Sequence, residues 1–297
     1  MEELIFDGSF FASLQRIRLA SRLKLNSGMG GSRKSSAKGS SVEFADFREY
    51  MLGDDIRRID WNAYGRMDRL FIKLFQEEKE GRFHVLLDCS GSMEYGEPKK
   101  SLLAQRIAGM FAYMVLNNLD RFSFYPLTGQ DRASLPSLKG QTGRQAFMKV
   151  LDAISRCNFA GRTDLLASVK QIPFGGKGVT ILITDGFDRD VEKFCEVIKY
   201  LAYEKQEVIL VHVLAKEEVE PDFAGTWDLV DVETSSTIKI TATRKLMNEY
   251  SRSMKQFAAR VEADCKKYSS HYIGVSTDQA LEQFVHEGVR RGQLVKI

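Results

Sequence analysis

The sequence predicts an α/β protein, a doubly wound and mostly parallel sheet preceded by an N-terminal elaboration. Three observations predict it. The runs FHVLLD at 83–88, GVTILIT at 178–184 and EVILVHVL at 207–214 are nearly continuous in apolar residues, as strands buried on both faces are. Between them lie segments with helical periodicity, clearest at 99–118, where Leu102, Leu103, Ile107, Met110, Phe111 and Met114 form one core face. Strand and helix alternate in order, which favours a parallel sheet covered on both faces and joined by right-handed crossovers.

Element by element, residues 1–80 read as a separate N-terminal region and 81–297 as the α/β domain. In the first region, 10–25 place Phe11, Leu14, Ile17 and Leu25 at roughly helical spacing. A Gly/Ser/Lys stretch at 26–41 without apolar periodicity reads as a loop. In the second region, a strand at 121–127 follows the helix 99–118. A helix over 143–156, one opening near Asp164 and one at 190–204 come next. The last zone offers a strand at 226–232, a long helix at 242–268, a strand at 271–276 and a helix at 278–290, which most simply complete the same sheet.

Composition narrows the function classes. An apolar fraction of 43% and a charged fraction of 28% are those of an ordinary globular chain. The net charge of +3 is small and does not by itself point to a polyanionic partner such as nucleic acid, which is not expected. One segment stands out: Arg16 to Lys38 carries seven basic residues and no acid, either a solvated linker or a docking site for an anionic surface. No apolar run approaches the ~20 residues of a membrane span. The acidic start lacks the basic and apolar regions of a signal peptide, so the chain reads as cytoplasmic. Cys89, Cys157, Cys195 and Cys265 have no metal-like spacing and read as free thiols.

The chemistry concentrates in three segments. Asp88-Cys89-Ser90-Gly91-Ser92 follows the strand 83–88 directly, Thr163-Asp164 opens a helix, and Thr184-Asp185-Gly186 ends the strand 178–184. All three fall at the carboxyl ends of strands or in the loops above them, where open parallel sheets build their sites. Hydroxyls of Ser90, Ser92 and Thr163 with carboxylates of Asp88 and Asp185 suit a hard divalent cation such as magnesium or manganese, which takes six oxygens at ~2.1 Å and keeps waters readily. The bland alternative is a strand end followed by helix caps, since Asp and Ser are favoured there.

In order and type, Asp88, Ser90, Ser92, Thr163 and Asp185 resemble the metal-ion-dependent adhesion site (MIDAS) of von Willebrand factor A domains. The resemblance implies that family's Rossmann-like doubly wound fold. It also implies direct metal contact by the serines and threonine, with the two aspartates acting through water. The expected partner is then a protein offering an Asp or Glu carboxylate.

A second resemblance covers the preceding region. Gly39-Ser40-Ser41-Val42-Glu43-Phe44, Arg48-Glu49-Tyr50 and Gly53-Asp54-Asp55-Ile56-Arg57-Arg58-Ile59-Asp60-Trp61, continuing through Phe71 and Glu77, are similar to the signature of the domain-of-unknown-function family numbered 58. Such bacterial proteins are typically encoded beside MoxR-type AAA+ ATPases, which implies an ATPase partner and a role in assembling or maturing other proteins. From the residues alone, Gly53–Trp61 reads as a turn stapled by ion pairs beneath Trp61, or else as a contact surface.

Enzyme signatures are missing. Ser90 lacks the G-x-S-x-G elbow, no P-loop exists, and Gly175-Gly176-Lys177-Gly178 precedes a strand rather than a helix. His84 and His212 sit inside strand patterns and read as satisfied sheet residues. The expectation is a metal-dependent binding module and not an enzyme; the alternative is a phosphatase-like hydrolase using the same cation as Lewis acid.

Overall fold

The computed structural model describes residues 5–25, 42–77, 81–129, 137–186, 191–219, 225–230 and 237–290. Contacts divide the chain into two compact units, Lys24–Glu80 and the remainder.

The larger unit is built on a six-stranded sheet. Its strands are β3 (Arg82–Asp88), β4 (Arg121–Leu127), β5 (Leu138–Gln141), β6 (Gly178–Thr184), β7 (Gln206–Leu214) and β10 (His271–Ser276). They lie in the order β10-β7-β6-β3-β4-β5, all parallel except the short edge strand β5. The chain enters at β3, goes to β4 on one side, then returns across the sheet to β6 on the other. The order therefore reverses at β3, and sheets of this kind place ligands in the crevice above the carboxyl ends of the strands at such a reversal, here β3 and β6.

Alternating strand residues feed two separate cores. Phe83, Val85 and Leu87 point to a layer containing α3 (Lys100–Asn117), α4 (Phe147–Ser155) and α9 (Leu281–Arg290). Leu86, Leu182, Val208 and Leu210 point to the layer of α5 (Leu165–Lys170), α6 (Val191–Tyr203) and α8 (Arg244–Lys267). Helices on both faces explain why these strands are almost uniformly apolar in sequence. The helix face expected at 99–118 is core: Leu103, Ile107, Met110 and Phe111 are buried.

The helix α1 (Gly8–Leu25), read from sequence as part of the N-terminal region, packs within this larger unit through Phe10 and Leu14. A Cβ added at Gly109 of α3 would lie 2.8 Å from the Phe6 ring and 3.1 Å from Phe10, so a glycine lets the α1 segment approach closely. Asp7 pairs with Arg106, and Ser13 and Arg16 both bond Glu282. Arg16 begins the basic stretch; its 26–38 portion and the 26–41 loop lie outside the described residues. The strand expected at 226–232 does not join the central sheet. It forms β8 (Gly225–Val230), paired antiparallel with β9 (Thr237–Ala242), whose residues just precede the long helix and give a separate two-stranded ribbon. Among the described residues, no helix is long and apolar enough to cross a membrane, and the four cysteines are free.

The smaller unit holds β1 (Val42–Glu49) and β2 (Phe71–Glu77), an antiparallel pair, with α2 (Trp61–Met67) between them. The staple expected within Gly53–Trp61 is replaced by a pair to a residue outside the run, Arg48–Asp54 at 2.8 Å, and Trp61 is 65% exposed at the start of α2. The motif's acids serve instead as caps. Asp54 accepts from Met51 N, Asp55 from Arg57 N, and Asp60 from Asn62 N and Ala63 N.

His84 departs from the satisfied sheet histidine expected. It is buried, neither ring nitrogen has a hydrogen-bond partner, and it packs against Tyr125 and edge-on to Phe174, 5.3 Å between ring centres. Burial first, then the nearby Arg82 charge, hold its pKa down at about 4. A folded pKa below the unfolded value means that stability is intact above ~6.5 and falls as pH drops from there toward 4. Chemical denaturation should therefore show His84→Phe flattening the loss between pH 7 and pH 4 by up to about 3 kcal/mol. Parallel pH profiles for the variant and wild type would refute this.

Candidate functional site

The crevice at the sheet's reversal is lined by the three segments singled out in the sequence. Asp88 ends β3 and is buried. One carboxylate oxygen accepts from the Ser90 backbone N–H at 3.0 Å, the other from the Thr184 hydroxyl at 2.7 Å. Parallel pairing of β3 with β6 sets that cross-strand bond, since Leu87 is registered with Ile183 just below it. Thr184 Oγ1 in turn accepts from Gly186 N, which turns the chain away at φ +67°.

Ser90 precedes a short 3₁₀ turn over Gly91–Glu94, and its hydroxyl lies 3.0 Å from that of Ser92. The Thr163 loop is tied alongside: Gly91 N donates to Gly161 O, Ala160 N to Cys89 O, and Cys89 N to Leu127 O. Thr163 itself donates to Leu127 O at 3.4 Å, and Asp164 caps α5 through Ala167 N. Backbone pairing thus brings the Asp88–Ser92 loop and the 160–163 loop together, with Asp185 across the crevice.

Asp185 is 2% exposed and Oδ2 accepts from the ammonium of Lys100 at 2.9 Å. Lys100, itself 1% exposed, also donates to Glu218 Oε1 at 2.9 Å. Glu218 belongs to α7 (Lys216–Val219), a turn of helix after β7, and its other oxygen accepts from Ala215 N. The backbone carbonyl of Asp185 lies 2.7 Å from His212 Nε2. A carbonyl only accepts, so Nε2 carries the proton and Nδ1 accepts from the Tyr272 hydroxyl at 2.8 Å. Burial holds His212 neutral, with a pKa down at about 4.

The electrostatics leave the crevice short of positive charge. Burial and the neighbouring Asp185 push Asp88 up to about 7 despite the bonds from Thr184 and Ser90. Burial opposes the charge of Lys100, but Asp185 and Glu218 outweigh it and the net shift is upward. Asp185 and Glu218 share the Lys100 ammonium, while Asp88, held by Thr184 and Ser90, feels the Asp185 charge.

Among the described residues no three His, Cys, Asp or Glu side chains are grouped for a metal, so a cation here would draw on hydroxyl oxygens as well. The donor set fits a hard divalent ion on one further count. Adjacent oxygens of an octahedron with ~2.1 Å bonds lie roughly 3.0 Å apart, which is the separation of the Ser90 and Ser92 hydroxyls. Of the five candidate residues, Asp88, Ser90 and Ser92 are linked by hydrogen bonds, Thr163 sits on the tied loop, and Asp185 influences Asp88 through its charge.

Sequence reading missed Lys100, Thr184, His212 and Glu218 as members of this network. Lys100 carried one usable signal: a lysine in the first turn of a helix faces the unfavourable end of the helix dipole and needs a reason to be there.

The fold and this edge define an open α/β protein with buried carboxylates and hydroxyls gathered at the reversal point of its sheet. The chain belongs to the family described as "Protein of unknown function DUF58", which matches residues 46–260. Uncharacterised proteins of Mycobacterium bovis and Mycobacterium tuberculosis are 21% identical over 279 residues, which is 93% of this chain and 87% of each relative. Among solved structures, an aerotolerance-related membrane protein from Bacteroides fragilis aligns with 71% of this chain and 99% of its own, at 16% identity and a TM-score of 0.44. The conserved hypothetical protein BatB from Bacteroides thetaiotaomicron aligns over the same shares at 14% identity and a TM-score of 0.40.

The Thr184 hydroxyl bridges two strand ends through a buried carboxylate. Thr184→Val should destabilise the protein by roughly 1–3 kcal/mol in urea unfolding, the usual cost of stranding a buried acceptor. An unchanged midpoint would show that Asp88 finds another donor.

Proposed function

We propose that this chain is a metal-dependent protein-binding module of the von Willebrand factor A type. In this reading Ser90, Ser92 and Thr163 hold a magnesium or manganese ion directly, and Asp88 and Asp185 hold its waters. The single observation that carries the reading is the meeting of two buried carboxylates and a 3.0 Å pair of serine hydroxyls at the reversal point of the sheet. The bound ion would supply an electrophilic position for an anion, here an Asp or Glu carboxylate of a partner protein. Asp88 and Asp185 orient and balance charge; the Ser and Thr hydroxyls stay neutral, which keeps that position attractive to an acid. The setting is assembly or maturation of other proteins together with a MoxR-type AAA+ ATPase, which supplies the energy. This rests on the family resemblance of residues 39–92.

Two measurements test the reading. Thermal melts in millimolar magnesium should lie above those in chelator, because a ligand that binds only the folded state stabilises it. Asp88→Ala should abolish the difference, and identical melts for wild type would sink the metal. Capture of partner proteins should be chelator-sensitive and lost in the Ser90→Ala/Ser92→Ala double variant. No phosphatase, protease or esterase turnover is expected with magnesium or manganese; steady turnover that vanishes in Asp88→Ala would establish the hydrolase instead.

A further inference from the structure

Lys100 has no place in the ligand set, yet it is as buried as any side chain in the crevice. Its position runs against helix electrostatics, since it opens α3 at the end that repels a cation. Burying an ammonium is costly unless carboxylates repay it with good geometry. Here they do: Nζ lies 2.9 Å from both Asp185 and Glu218, and 5.7 Å from the centre of the Tyr95 ring. The lysine thereby ties together three segments, namely the start of α3, the loop after β6 and the turn α7 after β7.

We propose that Lys100 is a resident counter-cation for this edge of the sheet. It keeps Asp185 and Glu218 seated in the metal-free protein, so the crevice is formed before a divalent ion arrives. The inference rests on the metal reading above for its second half: an ion bound nearby takes over part of that duty. The charge count supports this. Lys100 offsets one of the two carboxylates it bonds, which leaves Asp185, Glu218 and the lysine together at −1. Without the lysine these two carboxylates stand at −2, a charge that a divalent ion bound nearby offsets.

The Lys100→Met variant keeps the aliphatic stem and removes the charge. In chelator it should melt several degrees below wild type. Manganese should then raise its melting temperature at least twice as far as it raises that of wild type, because the ion replaces the missing charge. Lys100→Met/Glu218→Gln removes one charge of each sign, and its manganese shift should return to the wild-type size. If Lys100→Met is unfolded in chelator, recovery of its circular dichroism on adding manganese is the expected outcome. Equal losses with and without manganese, or equal manganese shifts in Lys100→Met and wild type, overturn the proposal and leave an ordinary buried ion pair. Titration of wild type with Mn²⁺, followed by electron paramagnetic resonance, separates the two readings. Absence of bound Mn²⁺ there overturns the metal site itself, whereas bound Mn²⁺ with equal melting shifts overturns only the role of Lys100.

Discussion

Asp88 and Asp185 leave neighbouring parallel strands where the sheet is sealed on both faces, and two buried carboxylates at such a place must each find donors. Everything around the crevice answers that demand. Asp88 takes its own loop's N–H from Ser90 and the Thr184 hydroxyl from the next strand; Asp185 takes the Lys100 ammonium. These bonds fix the loop geometry more firmly than loop sequence could, because a buried acceptor left without a donor costs more than the bond itself contributes. The Ser90 and Ser92 hydroxyls then face the crevice from a backbone that is already tied to the 160–163 loop.

The parts of this arrangement legible in the sequence are those enforced by burial. Strands β3, β6 and β7 are apolar on both faces, so their apolar runs announce them, and the site segments follow from where those strands end. The strands β1, β5 and β9 were not legible for local reasons. A register shift between Phe44 and Asp46 breaks the alternation of β1, and β5 is four residues long with two registered pairs. The ribbon strand β9, Thr-Ile-Lys-Ile-Thr-Ala, falls between the strand expected at 226–232 and the helix expected at 242–268 and runs almost directly into α8. Lys100 was hidden differently: beside Lys99 at a helix start it looks like one more solvated charge. Its partners lie 85 and 118 residues away in the chain.

The smaller unit separates motif from chemistry. The long family-specific segment Gly53–Trp61 is the most recognisable stretch in the chain, yet the acids in it close turns and cap short helices. Each of these acids meets a particular backbone N–H, which fixes the local turn and helix geometry. The segment's exposed side chains mix apolar Ile56 and Trp61 with charged Asp55 and Arg57, and Met51, Leu52 and Met67 are exposed beside it. The ion pair at this turn, Arg48–Asp54, reaches outside the run, and the indole is exposed.

Whether such a crevice suits binding or turnover depends on which groups remain chemically free. Hydrolysis needs a base or nucleophile within reach of the reacting atom. Both nitrogens of His212 are engaged, by the Asp185 carbonyl and the Tyr272 hydroxyl, and burial keeps the ring neutral. Both oxygens of Asp88 are engaged as acceptors. The Cys89 thiol is buried and pushed up by its contact with Cys157 and by desolvation, which suppresses the thiolate a nucleophile requires. Lys100 is held charged between two carboxylates, the opposite of a depressed lysine poised to act as a base. Each of these candidates for acid–base or nucleophilic work is thus spent on holding the loops. The hydroxyls of Ser90, Ser92 and Thr163, which bond one another and the Leu127 carbonyl, are neutral oxygen donors and in the proposed reading are the direct ligands of the cation. In the reading proposed above, that distribution of roles suits a site that captures an anion and keeps it.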